Sequence, residues 1–381
     1  MTALWLSGCA TAPPPAAICA ADGSAWRLLG EIRWDHAMQF GGTTVGGLSA
    51  IDYDAAHDQY YLLSDDRSAR DPARLYTARI RYDAAGLHGF ALTGVQPLRS
   101  PLAQPYAGTR AAQPQVAVPD PEALRLLPGG DRLLWSSEGD FARGFGPELN
   151  EMRADGHWLR SWTLPAQLQL PQPRVRGQGP RNNFTFEGIA VDDDRRTVWV
   201  SMEAPLQQDG PLPRHGQPGG PVRLTAFDAA SGQALRQIAY QPDALPADAP
   251  PLLPQAAVNG VSEILDDGPG QLLVLERSYV LGHGFGARLY RISTRIAGDA
   301  ASDTLALAQL APGNHRVAAK TLVLDFAALG LRSVDNLEGM AWGPRLAGGE
   351  RVLLVLSDDN FNPAEVTQLV ALAEAGRCGT P

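Results

Sequence analysis

One plan recurs five times along the chain. Each copy has an inner strand that opens with a small or acidic residue, then a polar turn, then an apolar strand. That second strand ends in Ser or an aliphatic residue followed by Asp or Glu. The copies are 46–52 (GGLSAID) with 60–65 (YYLLSD), 122–126 (EALRL) with 133–138 (LLWSSE), 187–192 (EGIAVD) with 198–203 (VWVSME), 263–265 (EIL) with 272–276 (LLVLE), and 338–342 (EGMAW) with 352–358 (VLLVLSD). Their starts at 46, 122, 187, 263 and 338 are 76, 65, 76 and 75 residues apart. A regular repeat of a strand hairpin plus further strands is the pattern of propeller blades. The predicted fold is therefore all-β: a β-propeller of five four-stranded blades.

Further strands complete each unit: 75–82 and 87–95, 149–154 and 158–164, 222–228 and 234–240, 288–294 and 321–326. The fifth unit has one more strand, 367–372, and lacks an outer one. The segment 26–34 supplies it, closing the ring and removing its open edge. If these two strands pair antiparallel, Cys19 and Cys378 face each other and can form a disulfide. The insertion 297–320, with a strand-like stretch at 304–310, leaves room for a sixth blade as the alternative. Pro-rich connections at 96–119, 165–182 and 241–256 are expected as surface loops over one face, where binding usually resides.

Residues 1–25 read as a lipoprotein-type leader remnant and tether, ahead of a propeller domain at 26–376. Leu6-Ser7-Gly8-Cys9 resembles a bacterial lipobox, followed by a Pro/Ala tether. The basic region of a signal peptide is missing, which places the expected natural start further upstream. Export to the cell envelope is expected, periplasmic or as an outer-membrane lipoprotein, with a lipid at Cys9 as the membrane contact. A monomer is expected. Formal net charge is −9 and Lys320 is the only lysine, so nucleic acid is not an expected partner.

Antiparallel pairing puts the start of an inner strand and the end of its partner at the same end of a blade. Glu122 is thus expected near Glu138, Glu187 near Glu203, Glu263 near Glu276, and Glu338 near Asp358. In the first unit Gly46 takes the place of the acid and leaves only Asp65. These nine carboxylates are expected around one mouth of the axis. Unpaired, they repel and take up protons. A hard divalent cation relieves that, and calcium tolerates irregular sets of six to eight oxygens. Arg67 and Arg277 follow directly after two of the acids and are suited to grip an anion. Asn183, Asn259 and Asn336 lie just before three of the Glu positions and offer carbonyl oxygens. The plainer use of strand-end acids is to cap strands and pair with Arg67, Arg181 and Arg277. Trp135 and Trp199, at matching positions, read as blade-packing residues. His283, in a Gly-rich stretch, is a weaker candidate for the site. There is no nucleophile elbow and no His-Glu-x-x-His motif.

Several of these stretches together resemble the phytase-like family, the group described by the esterase-like activity of phytase. They are Gly46-Gly47-Leu48-Ser49-Ala50-Ile51-Asp52 with Ser64-Asp65-Asp66-Arg67; Phe186-Glu187-Gly188-Ile189 with Met202-Glu203-Ala204-Pro205; Asn259-Gly260-Val261-Ser262-Glu263 with Leu275-Glu276-Arg277; and Asp335-Asn336-Leu337-Glu338-Gly339 with Ser357-Asp358-Asp359-Asn360. The resemblance implies a propeller of the kind used by calcium-dependent alkaline phytases, which hydrolyse phosphate esters. With one lysine, this chain has arginines to do the work of basic side chains, which argues against phytate itself. The expectation is a calcium-dependent hydrolase of phosphate or related small anionic esters. Glu187, Glu263, Glu338, Arg67 and Arg277 are its expected catalytic groups. The expected metal ligands are Glu187, Glu203, Glu263, Glu276, Glu338, Asp358, Asp65, Glu122 and Glu138. The alternative is a non-catalytic, envelope-anchored ligand-binding or scaffold propeller.

Overall fold

The computed structural model describes residues 17–245, 257–296 and 301–378. The lipidation candidate Cys9 lies outside them. Five four-stranded antiparallel sheets form the blades, each running from an inner to an outer strand. The inner strands are Leu48–Asp54, Pro121–Leu126, Phe186–Val191, Ala257–Asp266 and Leu337–Gly343, in blades 1 to 5. Each touches the inner strand of the next blade, and that of blade 5 touches that of blade 1, so the ring is closed. Of the described part of the insertion, 301–319 adds no strand. It packs on blade 3, with Thr304 N–H donating to Gln237 O at 2.8 Å, so there is no sixth blade.

The outer strand of blade 5 is the N-terminal segment Ser24–Arg33, paired antiparallel with Gln368–Arg377. Beyond that pair, Cys19 and Cys378 are bonded, with Cα atoms 5.9 Å apart, inside the usual disulfide range. The sequence separation is 359 residues. For so long a loop the chain-entropy model sets a ceiling of roughly 4–5 kcal/mol. Reduction, or replacement of both cysteines by Ser, is expected to lower Tm by several degrees. Equal melting curves with and without reductant would mean the strand pairing holds the closure alone.

Blades pack face to face through apolar side chains on alternating strand positions. Trp199 and Trp135 are fully buried in two of these layers, as blade-packing residues should be. At Gly188 the neighbouring inner strand comes so close that a Cβ would lie 2.6 Å from Ile264 N. Small residues are therefore required where inner strands converge.

Candidate functional site

Every inner hairpin carries a one-residue bulge near its start. Ser49 is extra between Leu48↔Ser64 and Ala50↔Leu63. Glu187 is extra between Phe186↔Met202 and Gly188↔Ser201, and Glu338 between Leu337↔Ser357 and Gly339↔Leu356. Blade 2 shifts register over Glu122, after Pro121↔Ser137. In blade 4 the extra residue is Ser262, between Val261↔Glu276 and Glu263↔Leu275. The structurally equivalent set is therefore Ser49, Glu122, Glu187, Ser262 and Glu338. The residues that follow the partner of the position before each bulge form another: Asp65, Glu138, Glu203, Arg277 and Asp358, although in blade 4 the ladder runs on past Arg277 to Val280. A bulge turns its extra side chain out of the ladder, and in blades 2, 3 and 5 that side chain is a Glu that reaches the axial cavity.

The acids of these two rings, with Arg277, line one cavity of about 620 Å³ at the mouth of the axis, whereas the Ser49 and Ser262 hydroxyls donate to Pro121 O at 3.4 Å and Leu337 O at 3.1 Å on the next inner strand. Seven of the nine expected carboxylates line it: Asp65, Glu122, Glu138, Glu187, Glu203, Glu338 and Asp358. Asp120, not anticipated, joins them. Arg277 stands in the second ring where the other blades have acids. Its Nη2 donates to Glu338 Oε1 at 3.0 Å and lies 3.5 Å from Glu203 Oε1. At the rim, Arg67 Nη1 binds Asp120 Oδ2 at 2.5 Å. Gly47 has φ +59°, and a Cβ there would lie 1.9 Å from Asp65 Oδ1, so the loop needs glycine to seat that acid.

Glu263 and Glu276 do not join the ring. Glu263 is one residue past its true equivalent, Ser262, and Glu276 one residue before Arg277, and a slip of one turns a strand side chain to the other face. Glu263 lies beneath the cavity, where its carboxylate meets Arg125 Nη2 at 2.8 Å. Glu276 lines a second cavity of about 300 Å³, bound by Lys320, Asn259 and the Asp243 N–H. Asn259 turns to that cavity with it, as does His283. Asn183 and Asn336 do line the main cavity. Arg181 pairs with no acid there; it donates to the carbonyls of Pro205 and Gly210.

Arg125 and Glu263 close the cavity from below. Arg125, on blade 2, donates to Ile51 O at 2.8 Å on blade 1, Met340 O at 2.9 Å on blade 5, and Ile264 O at 3.3 Å on blade 4. Glu263 Oε1 accepts from Ile189 N–H at 3.0 Å on blade 3. One ion pair thus touches all five inner strands and makes the cavity a cup rather than a tunnel.

The cup's charge is one-sided. Burial first, and then neighbouring carboxylates, push Asp65, Glu122, Glu138, Glu187 and Asp358 well above the usual carboxylate range. Burial lifts Glu203 to about 7 and also raises Glu338, although Arg277 opposes both. Burial lifts Asp120 to about 6 against the pull of Arg67. Arg277 is held charged: burial works against it, but Glu203, Glu338 and Glu187 outweigh that. Oxygens of Glu122, Glu138 and Glu187 lie within 4.8 Å of one another. Asp65 Oδ1 and Asn336 Oδ1 are buried without a partner. Hard oxygen donors, orphaned acceptors and excess negative charge fit a calcium-type cation.

Fold and site together define a propeller whose axial mouth is built for charge chemistry. A family model described as phytase-like, esterase-like activity of phytase, matches residues 43–361. The chain belongs to that family, and is a hydrolase-type propeller in that sense. No curated protein matches it in sequence. Among solved structures, the catalytic domain of the Coprinopsis cinerea GH62 alpha-L-arabinofuranosidase is similar at 11% identity, over 92% of this chain and 99% of that one, with TM-score 0.42. The periplasmic gluconolactonase of Pseudomonas aeruginosa is similar at 13% identity, over 95% and 96%, with TM-score 0.36.

Proposed function

We propose that this chain is an exported, calcium-dependent hydrolase of phosphate or related small anionic esters, acting in the carboxylate cup. The observation that carries the reading is the cup itself: seven converging carboxylates and Asp120 against the paired Arg277 and Arg67, in a space closed from below. Glu122, Glu138 and Glu187 are the first ligands for the ion, with Asp65, Asp358 and the Asn336 carbonyl within the same cup. A bound calcium ion would offset part of the cup's negative charge and polarise an ester oxygen placed in it.

The chain's own groups do the rest. Arg67 and Arg70 line the same cavity, and Arg67 offers an anionic ester a first charge at the rim. Arg277 meets the anion deeper down; its Nε has no protein partner and remains to donate. Glu338 and Glu203 fix that guanidinium in place. The Arg125–Glu263 pair denies the ester a through-passage. The disulfide supports export to an oxidising compartment. A lipid at Cys9, a monomeric state and residence in the envelope remain parts of the proposal.

One observation favours a second reading. Among the described residues, no Ser, Thr, Cys, His or Lys lines the cup. A propeller that holds a cation and an anion without cleaving anything would look the same. A panel of aryl phosphates and carboxyl esters, assayed with calcium and with chelator, separates the two. Turnover is expected with calcium only. Glu187→Gln is expected to lower it by roughly 100-fold or more, several kcal/mol of lost transition-state stabilisation. Calcium binding without cleavage of any ester would leave the binding module standing.

A further inference from the structure

A second group of carboxylates lies at the far ends of two inner strands. Asp192 directly follows Phe186–Val191 of blade 3, and Asp266 ends Ala257–Asp266 of blade 4. The bulge residues of these strands are Glu187, near the start of the first, and Ser262, four residues before Asp266 in the second. The two ends are therefore about 15 Å apart along extended chain. One carboxylate oxygen each from Asp192, Asp193 and Asp266 comes within 4.8 Å of the others. Asp192 is only 7% exposed, whereas Asp193 reaches water.

The hydrogen bonding of this group is incomplete. Asp192 Oδ2 accepts from the Trp199 indole N–H at 3.3 Å, and Asp266 Oδ2 from Gly268 N–H at 3.3 Å. Oδ1 of Asp192 and Oδ1 of Asp266 are buried and have no partner. A buried acceptor left unsatisfied is costly and calls for a ligand. The charges that weigh on the pair are of the same sign: Asp194 and Asp193 on Asp192, and Asp192 and Asp193 on Asp266. One proton shared between Asp192 and half-buried Asp266 would satisfy those two carboxyls but leave Asp193 out. A divalent cation answers to all three, with water completing its shell on the open side.

We propose that Asp192, Asp193 and Asp266 hold a structural divalent cation of the calcium class at the end of the axis opposite the cup. It ties the inner strands of blades 3 and 4 together where they leave the ring. Trp342 Nε1 donates to Asp266 O at 2.7 Å, which brings blade 5 to the same point.

The two tryptophans make the site readable. Trp199 touches Asp192 and Trp342 touches Asp266, while no tryptophan lines the cup. Terbium, a calcium probe, is titrated into the full chain carrying Glu122→Gln and Glu187→Gln, and emission is read under indole excitation. Sensitised emission is expected, displaced by calcium. Asp192→Asn and Asp266→Asn are each expected to weaken it by roughly tenfold or more, since affinity follows ligand charge. Asp193→Asn, at an exposed position, gives the same reading if a buried variant fails to fold. Calcium is also expected to raise Tm in the cup double variant and not when Asp192→Asn is added. Absence of sensitised emission, emission unchanged by all three Asn variants, or no calcium effect on Tm in the cup double variant overturns the proposal.

Discussion

Replacing Arg125 by Ala is expected to destabilise the propeller by roughly 3–5 kcal/mol, the cost of removing one partner from a buried ion pair. Arg125 is 3% exposed and donates to carbonyls of blades 1, 2, 4 and 5 as well as to Glu263. Without it those carbonyls and Glu263 stay buried. Burial pushes Glu263 up to about 8 even with the arginine at 2.8 Å, so the carboxylate alone would take a proton or unfold the axis. The paired change Arg125→Met with Glu263→Leu is expected to recover most of the loss, because the charge and its partner leave together. Urea unfolding of the three proteins with unchanged m-values checks this. A loss under about 1 kcal/mol in Arg125→Ala would show that the pair is decorative.

Much of this molecule was legible in its sequence, and each miss has its own physical cause. The five-fold plan predicted the blades, and the short fifth unit predicted the N-terminal closure and the Cys19–Cys378 bond. The cup was legible as acids at strand starts and ends. The fourth blade went astray by one residue on each strand. Glu263 and Glu276 were the visible acids there, while the equivalent positions hold Ser262 and Arg277. A signal was present. Leu48, Pro121, Phe186, Val261 and Leu337 are the apolar residues ahead of each bulge. Aligning on them puts Ser262 with Glu187 and Glu338. Likewise 272–277 (LLVLER) aligns with 133–138 (LLWSSE), setting Arg277 against Glu138. Matching by charge obscured what matching by register reveals, because register decides which face a side chain takes. The Arg125–Glu263 pair had no such signal. Its partners come from five blades, and only the closed ring brings them within reach. Asp120 was missed for a simpler reason: it precedes the inner strand and has no acidic counterpart in the other blades.

With chelator present, stability is expected to fall as pH rises from about 5 to about 8, and calcium is expected to reverse the fall. The cup acids have folded-state pKa values raised above the ordinary values near 4 that they show when unfolded. Glu203 is at about 7, and Asp65, Glu122, Glu138, Glu187 and Asp358 are well above the usual range. Through that window the native state binds more protons than the unfolded chain, so unfolding free energy decreases with pH. The molecular reason is that each proton lost leaves another charge in a cup that already has too many. Calcium competes with those protons for the same oxygens, so its stabilising effect should grow with pH. At a free concentration a hundred times its dissociation constant, it adds about 2.7 kcal/mol. Magnesium, which prefers strict octahedral geometry and keeps its waters, should do less. Calorimetric Tm at pH 5, 6.5 and 8, with chelator and with calcium, is the measurement, made in Asp192→Asn so that the far site is silent. Metal-free stability that rises across this window would refute the crowded-carboxylate account. A calcium shift equal at pH 5 and pH 8 would mean that the ion does not bind the titrating acids of the cup.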